Sequence, residues 1–271
     1  MRACERLMKY VTFSTGSCES NPECPSNPKE FDFAEALADE MKTLGLKDAE
    51  VDEHCYVMGT IQPSEGYENA PVLGLIAHMD TSPDAPNENV KPRATLYKGN
   101  GLVINEEENI RIPAEDLAGC EGKHIITSDG TTLLGADNKA GISEIMTLAE
   151  ELRNHPEIRH GKIRIAFTPD EEIGRSSDLF DIEKFGADFA YTVDGDFFGE
   201  CQSETFYAVS AEVTVLGIGC HPGSAKERMK DAIQIAEEFD RLLPSWDRPE
   251  YREGREGFFH LTDFHGMVEK A

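Results

Sequence analysis

Four acidic clusters hold the side chains best suited to chemistry: His78-Met79-Asp80, Gly135-Ala136-Asp137-Asn138-Lys139-Ala140-Gly141, Thr168-Pro169-Asp170-Glu171-Glu172-Ile173-Gly174 and Tyr191-Thr192-Val193-Asp194-Gly195-Asp196. Each has an ordinary explanation when taken alone. A His-x-Asp pair is common as a hydrogen-bonded structural unit, and adjacent glutamates usually form a solvated charge run. Asp137 could cap a helix, and Asp194 before a glycine could be a turn residue. Together they ask for another reading, because several carboxylates in one small site repel one another strongly. A divalent cation resolves that conflict, and a pair of cations resolves it better.

The elements that must position these clusters are legible in outline. A short, almost wholly apolar run predicts a buried strand over 71–77, and further strands are expected over 162–167 and 187–193. Three clusters follow those strands directly. The fourth opens a helix over 138–154, where Ile142, Ile145, Met146, Leu148, Ala149 and Leu152 form one inward face. Another helix is expected over 30–46 with Gly45 near its end, and residues 82–93 are rich in Pro, Asn and Asp and read as loop. Strands alternating with helices predict an α/β sandwich. In open α/β sheets ligands sit outside the carboxyl ends of the strands, so the clusters can meet in one crevice.

The character changes near Ala208. Residues 209–216 alternate as a strand, 220–223 make a turn, and Ser224 with Glu227 suggests a capping box. The helix it would open carries Met229, Ala232, Ile233, Ile235, Ala236, Phe239, Leu242 and Leu243 and stops at Pro244. A polar stretch over 246–256 and a short apolar segment over 258–261 follow. One strand and one helix cannot bury both faces of a second domain, so this region reads as unfinished.

Composition narrows the function classes. A chain of 271 residues suggests about two domains. Its 39% hydrophobic content supports a packed core. Against 52 acidic residues stand 26 basic ones, and the net charge of −26 argues against nucleic acid or an anionic membrane as partner. The longest apolar stretch, near 70–79, is too short to span a bilayer, and the start, MRACERLMKYVTF, has no signal-peptide core. Seven scattered cysteines without a CxxC pair argue against a disulfide framework and a zinc ribbon. A cytoplasmic location is expected.

The series HMDTSPD, TLLGADNKAGI, FTPDEEIGR and YTVDGD, followed by GIGCHPGSAKERM, resembles the dinuclear-zinc exopeptidase family that includes glutamate carboxypeptidases and aminoacylases. The segment RPEYREGREGFFHLTD resembles its tripeptide-aminopeptidase branch in particular. The resemblance implies a mixed-sheet α/β sandwich catalytic domain with an inserted α+β lid and dimerisation domain. It implies two zinc ions, with His78 and Asp194 each on one zinc, Asp137 bridging both and Glu172 on the second. Asp80 would accept a hydrogen bond from His78 and fix its orientation. Glu171 would be the general base that takes a proton from the water that zinc activates, and would later protonate the leaving amine. A cis peptide after Asp137 is implied too. His221 would reach from the lid into the active site of the partner subunit and stabilise the substrate oxyanion.

The implied activity is removal of the N-terminal residue from tripeptides, by a homodimer that engages neither nucleic acid nor membrane. A carboxypeptidase or deacylase of the same fold, and an inactive fragment with only a binding role, are the alternatives. By the same resemblance, 1–207 is the catalytic portion and 208–271 part of the lid. A returning catalytic segment with the last histidine ligand of the second zinc is expected to be absent, leaving the second zinc site incomplete.

Overall fold

The computed structural model describes residues 1–195 and 198–271, so Asp196 of the fourth cluster lies outside the described residues. The chain divides into two compact units, Met1–Cys201 and Gln202–Ala271.

In chain order the first unit contains α1 (Ala3–Tyr10), α2 (Glu30–Leu44), β1 (Lys47–Val51), β2 (Val57–Ile61), β3 (Leu73–His78), β4 (Arg93–Leu96), β5 (Leu102–Asn105), β6 (Ile110–Ile112), β7 (His124–Thr127), α3 (Ala136–Asn154), β8 (Ile163–Thr168), α4 (Ile182–Phe185) and β9 (Phe189–Thr192). Helix α2 forms because Phe33, Ala34, Leu37, Ala38, Met41 and Leu44 recur at helical spacing and bury one stripe. It ends at Gly45, whose φ of 88° lets the last carbonyls be taken by the N–H groups of Gly45 and Leu46.

The main sheet runs β1-β2-β8-β3-β9. The β8–β3 and β3–β9 pairs are parallel, whereas β1–β2 and β2–β8 are antiparallel, so the sheet is mixed as expected. The strands expected over 71–77, 162–167 and 187–193 appear as β3, β8 and β9. Strands β1 and β2 fall between the expected helix over 30–46 and the expected strand over 71–77, where no strand was expected. Alternation along the strands sends Val57, Leu75, Ala77, Ile163, Ile165 and Phe167 into one large core with α2 and α3. On the opposite face Met58, Ala166 and Phe185 form a smaller core with Ile76 and Phe180. Strands β4 with β7, and β5 with β6, make separate two-stranded ladders. The parallel strands β3, β8 and β9 therefore end on the same side, each at an acidic cluster.

The second unit contains α5 (Ala232–Leu242) and 3-10 turns at Pro222–Ser224 and Pro249–Tyr251. Two expectations are corrected here. Residues 209–216 do not form a strand: only an isolated bridge joins Leu216 to Lys270. Alternation favours a strand only where a neighbour completes the ladder, and here only the end of the stretch pairs, Val215 and Ala271 exchanging hydrogen bonds beside that bridge. The capping box at Ser224 also fails to form. Glu227 has a positive φ of 62° and Lys230 pairs with Ile218, which a helix through 230 would forbid. Asp231 caps α5 instead, its carboxylate accepting the Ile233 N–H at 3.0 Å. Among the described residues, no helix is long and apolar enough to cross a membrane.

Candidate metal centre

The last residue of β3, His78, is buried. Its Nδ1 lies 3.0 Å from the Asp80 carbonyl and 3.2 Å from Asp80 Oδ1, which orients the ring. Its Nε2 faces outward, 2.9 Å from Asp137 Oδ1 and 3.7 Å from both Glu171 Oε2 and Asp194 Oδ2.

Each carboxylate is delivered by its own element. Asp137 precedes the regular part of α3, with a non-helical φ of −80° and ψ of 109°, and the Asp137–Asn138 peptide is cis. Gly141 lets the start of that helix lie against the end of β9: a Cβ there would come 2.0 Å from the Val193 carbonyl oxygen. That close approach sets Asp137 beside Asp194. Glu171 and Glu172 begin the 3-10 turn Glu171–Ile173 just after β8. Their backbone N–H groups donate to the two carboxylate oxygens of Asp80, at 2.9 and 3.0 Å. The fully buried Asp80 thus holds His78 with one loop and the glutamate pair with another.

The electrostatics follow from this crowding. Burial disfavours charge on His78, but the hydrogen bond to Asp80 and the charges of Asp80, Asp194 and Glu171 outweigh it and push its pKa up to about 9. Glu172 is held above the ordinary carboxylate range, first by burial and then by the charge of Asp137. Asp194 is raised too, first by burial; His78 offsets this in part, and Asp137 and Glu171 add to it. A histidine that keeps its proton beside carboxylates that resist ionising marks a site with surplus negative charge. Ligand atoms of His78, Asp137 and Asp194 lie within 4.8 Å of one another, a donor set of one imidazole and two carboxylates suited to a zinc-like cation.

Of the residues singled out from sequence, His78, Asp80, Asp137, Glu171 and Asp194 meet here. Glu172 joins through its backbone, and its carboxylate is not part of the three-residue cluster. His221 belongs to the second unit, where its exposed ring accepts the Gly223 N–H on Nδ1 at 3.0 Å. In the neutral ring the proton then sits on Nε2, a free donor direction. Sequence reasoning missed Ser26 and Arg175, which grip the glutamate loop: Ser26 binds Asp170, and Arg175 donates to backbone carbonyls at Asn21 and Glu19. No periodicity marks either. The one available signal was Asp170, an extra acid inside the glutamate cluster.

No family profile matches the chain. It is 50% identical to a peptidase T of Clostridium acetobutylicum over 98% of its own length and 66% of the relative's. With a peptidase T of Parabacteroides distasonis the identity is 47% over 100% of this chain and 67% of the relative. The chain therefore spans about two thirds of the length of these curated relatives. Its fold resembles the crystal structure of a tripeptidase from Staphylococcus aureus, with a TM-score of 0.59 and 22% identity, covering 93% of this chain and 58% of that one. On the strength of these matches across its whole length, the chain belongs to the peptidase T family.

Proposed function

We propose that the protein is a metal-dependent aminopeptidase that releases the N-terminal residue of tripeptides. The observation that carries this reading is the convergence of His78 Nε2 with Asp137 and Asp194, backed by Glu171, at the strand ends. His78 and Asp194 would hold one zinc each, Asp137 would bridge the two, and Glu172 would bind the second. When bound, such ions supply Lewis-acid polarisation of the peptide carbonyl and acidify water.

The chain's own residues do the rest. Asp80 fixes the His78 ring and aligns the backbone of both glutamates. Glu171 is half exposed with its Oε2 3.7 Å from His78 Nε2, and it would take a proton from water and return it to the leaving amine. His221 would donate from Nε2 to the developing oxyanion of a substrate held by the partner subunit in a homodimer. In this reading residues 1–207 are catalytic and 208–271 contribute to a lid and dimerisation domain, and the enzyme works in the cytoplasm on small peptides.

The test is zinc-dependent release of the first residue from an unblocked tripeptide, with an N-acetylated tripeptide and Glu171→Gln as controls. The expected result is release from the free peptide only, reduced by about 10²–10⁴ in Glu171→Gln. Cleavage of the blocked peptide would redirect the reading to a deacylase or carboxypeptidase. Absence of any zinc-dependent release contradicts it.

A further inference from the structure

The glutamate loop is held from both sides. Asp80 holds the N–H groups of Glu171 and Glu172. On the other side stands Asp170, fully buried and in the left-handed conformation at φ 57° and ψ 28°. Its Oδ2 accepts the Ser26 N–H at 2.8 Å and its Oδ1 accepts the Ser26 hydroxyl at 2.5 Å. Its carbonyl accepts the Arg175 N–H at 2.9 Å, closing the turn.

Ser26 is itself fixed. Its hydroxyl accepts the Cys18 N–H at 2.8 Å, and its carbonyl accepts the Asn21 side-chain amide at 2.7 Å. Arg175 ties the far end of the loop to the same segment through the Asn21 and Glu19 carbonyls, at 2.6 and 3.0 Å. This segment also grips the loop that follows His78. Ser17 N–H donates to the Thr81 carbonyl, Thr81 N–H to the Thr15 carbonyl, and the Thr15 hydroxyl to the Met79 carbonyl. Residues 15–27 therefore strap the His78–Asp80 loop to the Glu171–Glu172 loop.

We infer that Asp170 is a positioning residue, which through its paired grip on Ser26 sets the direction in which Glu171 and Glu172 leave β8. This rests on the roles proposed above for those glutamates. A left-handed turn alone would take glycine or asparagine, without need of a buried acid. That distinction supplies the test. Asp170→Gly keeps the turn and removes the grip. Asp170→Asn keeps the turn and re-forms both contacts, its carbonyl accepting from the Ser26 N–H and its NH₂ donating to the hydroxyl.

Amide hydrogen exchange of peptides covering 171–174, and zinc affinity by competition with a chromophoric chelator, are measured on the full chain. In Asp170→Gly the loop amides are expected to exchange about tenfold faster and zinc affinity to fall about 10–100-fold, the range for partners that orient ligands. Peptides of β3 and β8 should keep parental protection, and Asp170→Asn should stay within about threefold of the parent in both readouts, on the same scale. Parental loop exchange in Asp170→Gly overturns the inference, as does an equal loss of protection throughout the chain. Should Asp170→Gly fail to fold, Ser26→Ala removes the hydroxyl contact and keeps the N–H contact; the loop amides should then exchange faster than in the parent, and parental loop exchange there overturns the paired grip. A parent chain that binds no zinc refutes the proposed metal centre instead, while the exchange readout still decides the role of Asp170.

Discussion

The two units of this chain treat similar sequence patterns differently. In Met1–Cys201, amphipathic helices and alternating strands close onto each other. In Gln202–Ala271, an equally amphipathic helix leaves Ile235, Phe239 and Leu242 exposed at 42%, 45% and 78%. Among the described residues every buried apolar side chain except Ala232 belongs to the first unit. Periodicity names a face, and only a partner element turns that face into stability. The difference also explains where chemistry can be built. The carboxylates around His78 are crowded against their own repulsion, and only a rigid, well-buried frame holds such an arrangement.

The sharpest way to break this contrast is to truncate one aromatic in each unit. Phe33 is fully buried between Tyr10 and Phe13, at ring-centroid distances of 5.3 and 5.0 Å. Phe33→Ala is expected to cost about 3–5 kcal/mol in urea unfolding, as large-to-small core substitutions do. Phe239→Ala on α5 is expected to change stability by no more than about 0.5 kcal/mol, the range for surface positions. Equal costs for the two would erase the distinction.

A smaller effect sharpens it. Unlike any acid of the second unit, Glu30 at the start of α2 is fully buried with no hydrogen-bond partner for either oxygen. Burial first, then the charges of Asp80 and Asp170, push its pKa up to about 9 from an ordinary 4.5. Between those values the folded chain keeps a proton that the unfolded chain has released. Its contribution to stability is therefore complete below about pH 4.5 and is lost as pH rises towards 9, by up to about 1.4 kcal/mol per unit. The nearby Lys139, pushed down to about 7 by burial, adds the opposite slope only above neutrality. Glu30→Gln should remove the Glu30 slope, so its stability relative to the parent should improve from pH 5 to pH 7. A parent-minus-variant difference that is flat over that interval contradicts this.

Much of the site was legible because its residues sit where strands end. His78 and Asp170 to Glu172 follow the runs of β3 and β8, which are recognisable because those strands are largely buried, whereas Asp194 follows the exposed edge strand β9. Gly45 marked the end of α2 for an equally local reason. What escaped was non-local. Strands β1 and β2 lie among turn residues, and β2 becomes a strand by pairing with β8, about a hundred residues away in sequence. Ser26 matters only because a distant loop brings Asp170 to it. The strand expected over 209–216 erred in the other direction, for alternation ran the length of the stretch and pairing only reached its end.

The central claim is that the first unit carries a metal centre built on His78, Asp137 and Asp194, and a zinc titration tests it most directly. Purified chain and its Asp137→Asn variant are compared at pH 7.5 by competition with a chromophoric chelator. The expected result is saturable binding by the parent, weakened at least about tenfold in the variant, since one carboxylate oxygen beside His78 Nε2 is lost. Binding of equal strength in both, or no saturable binding by the parent, would contradict the account.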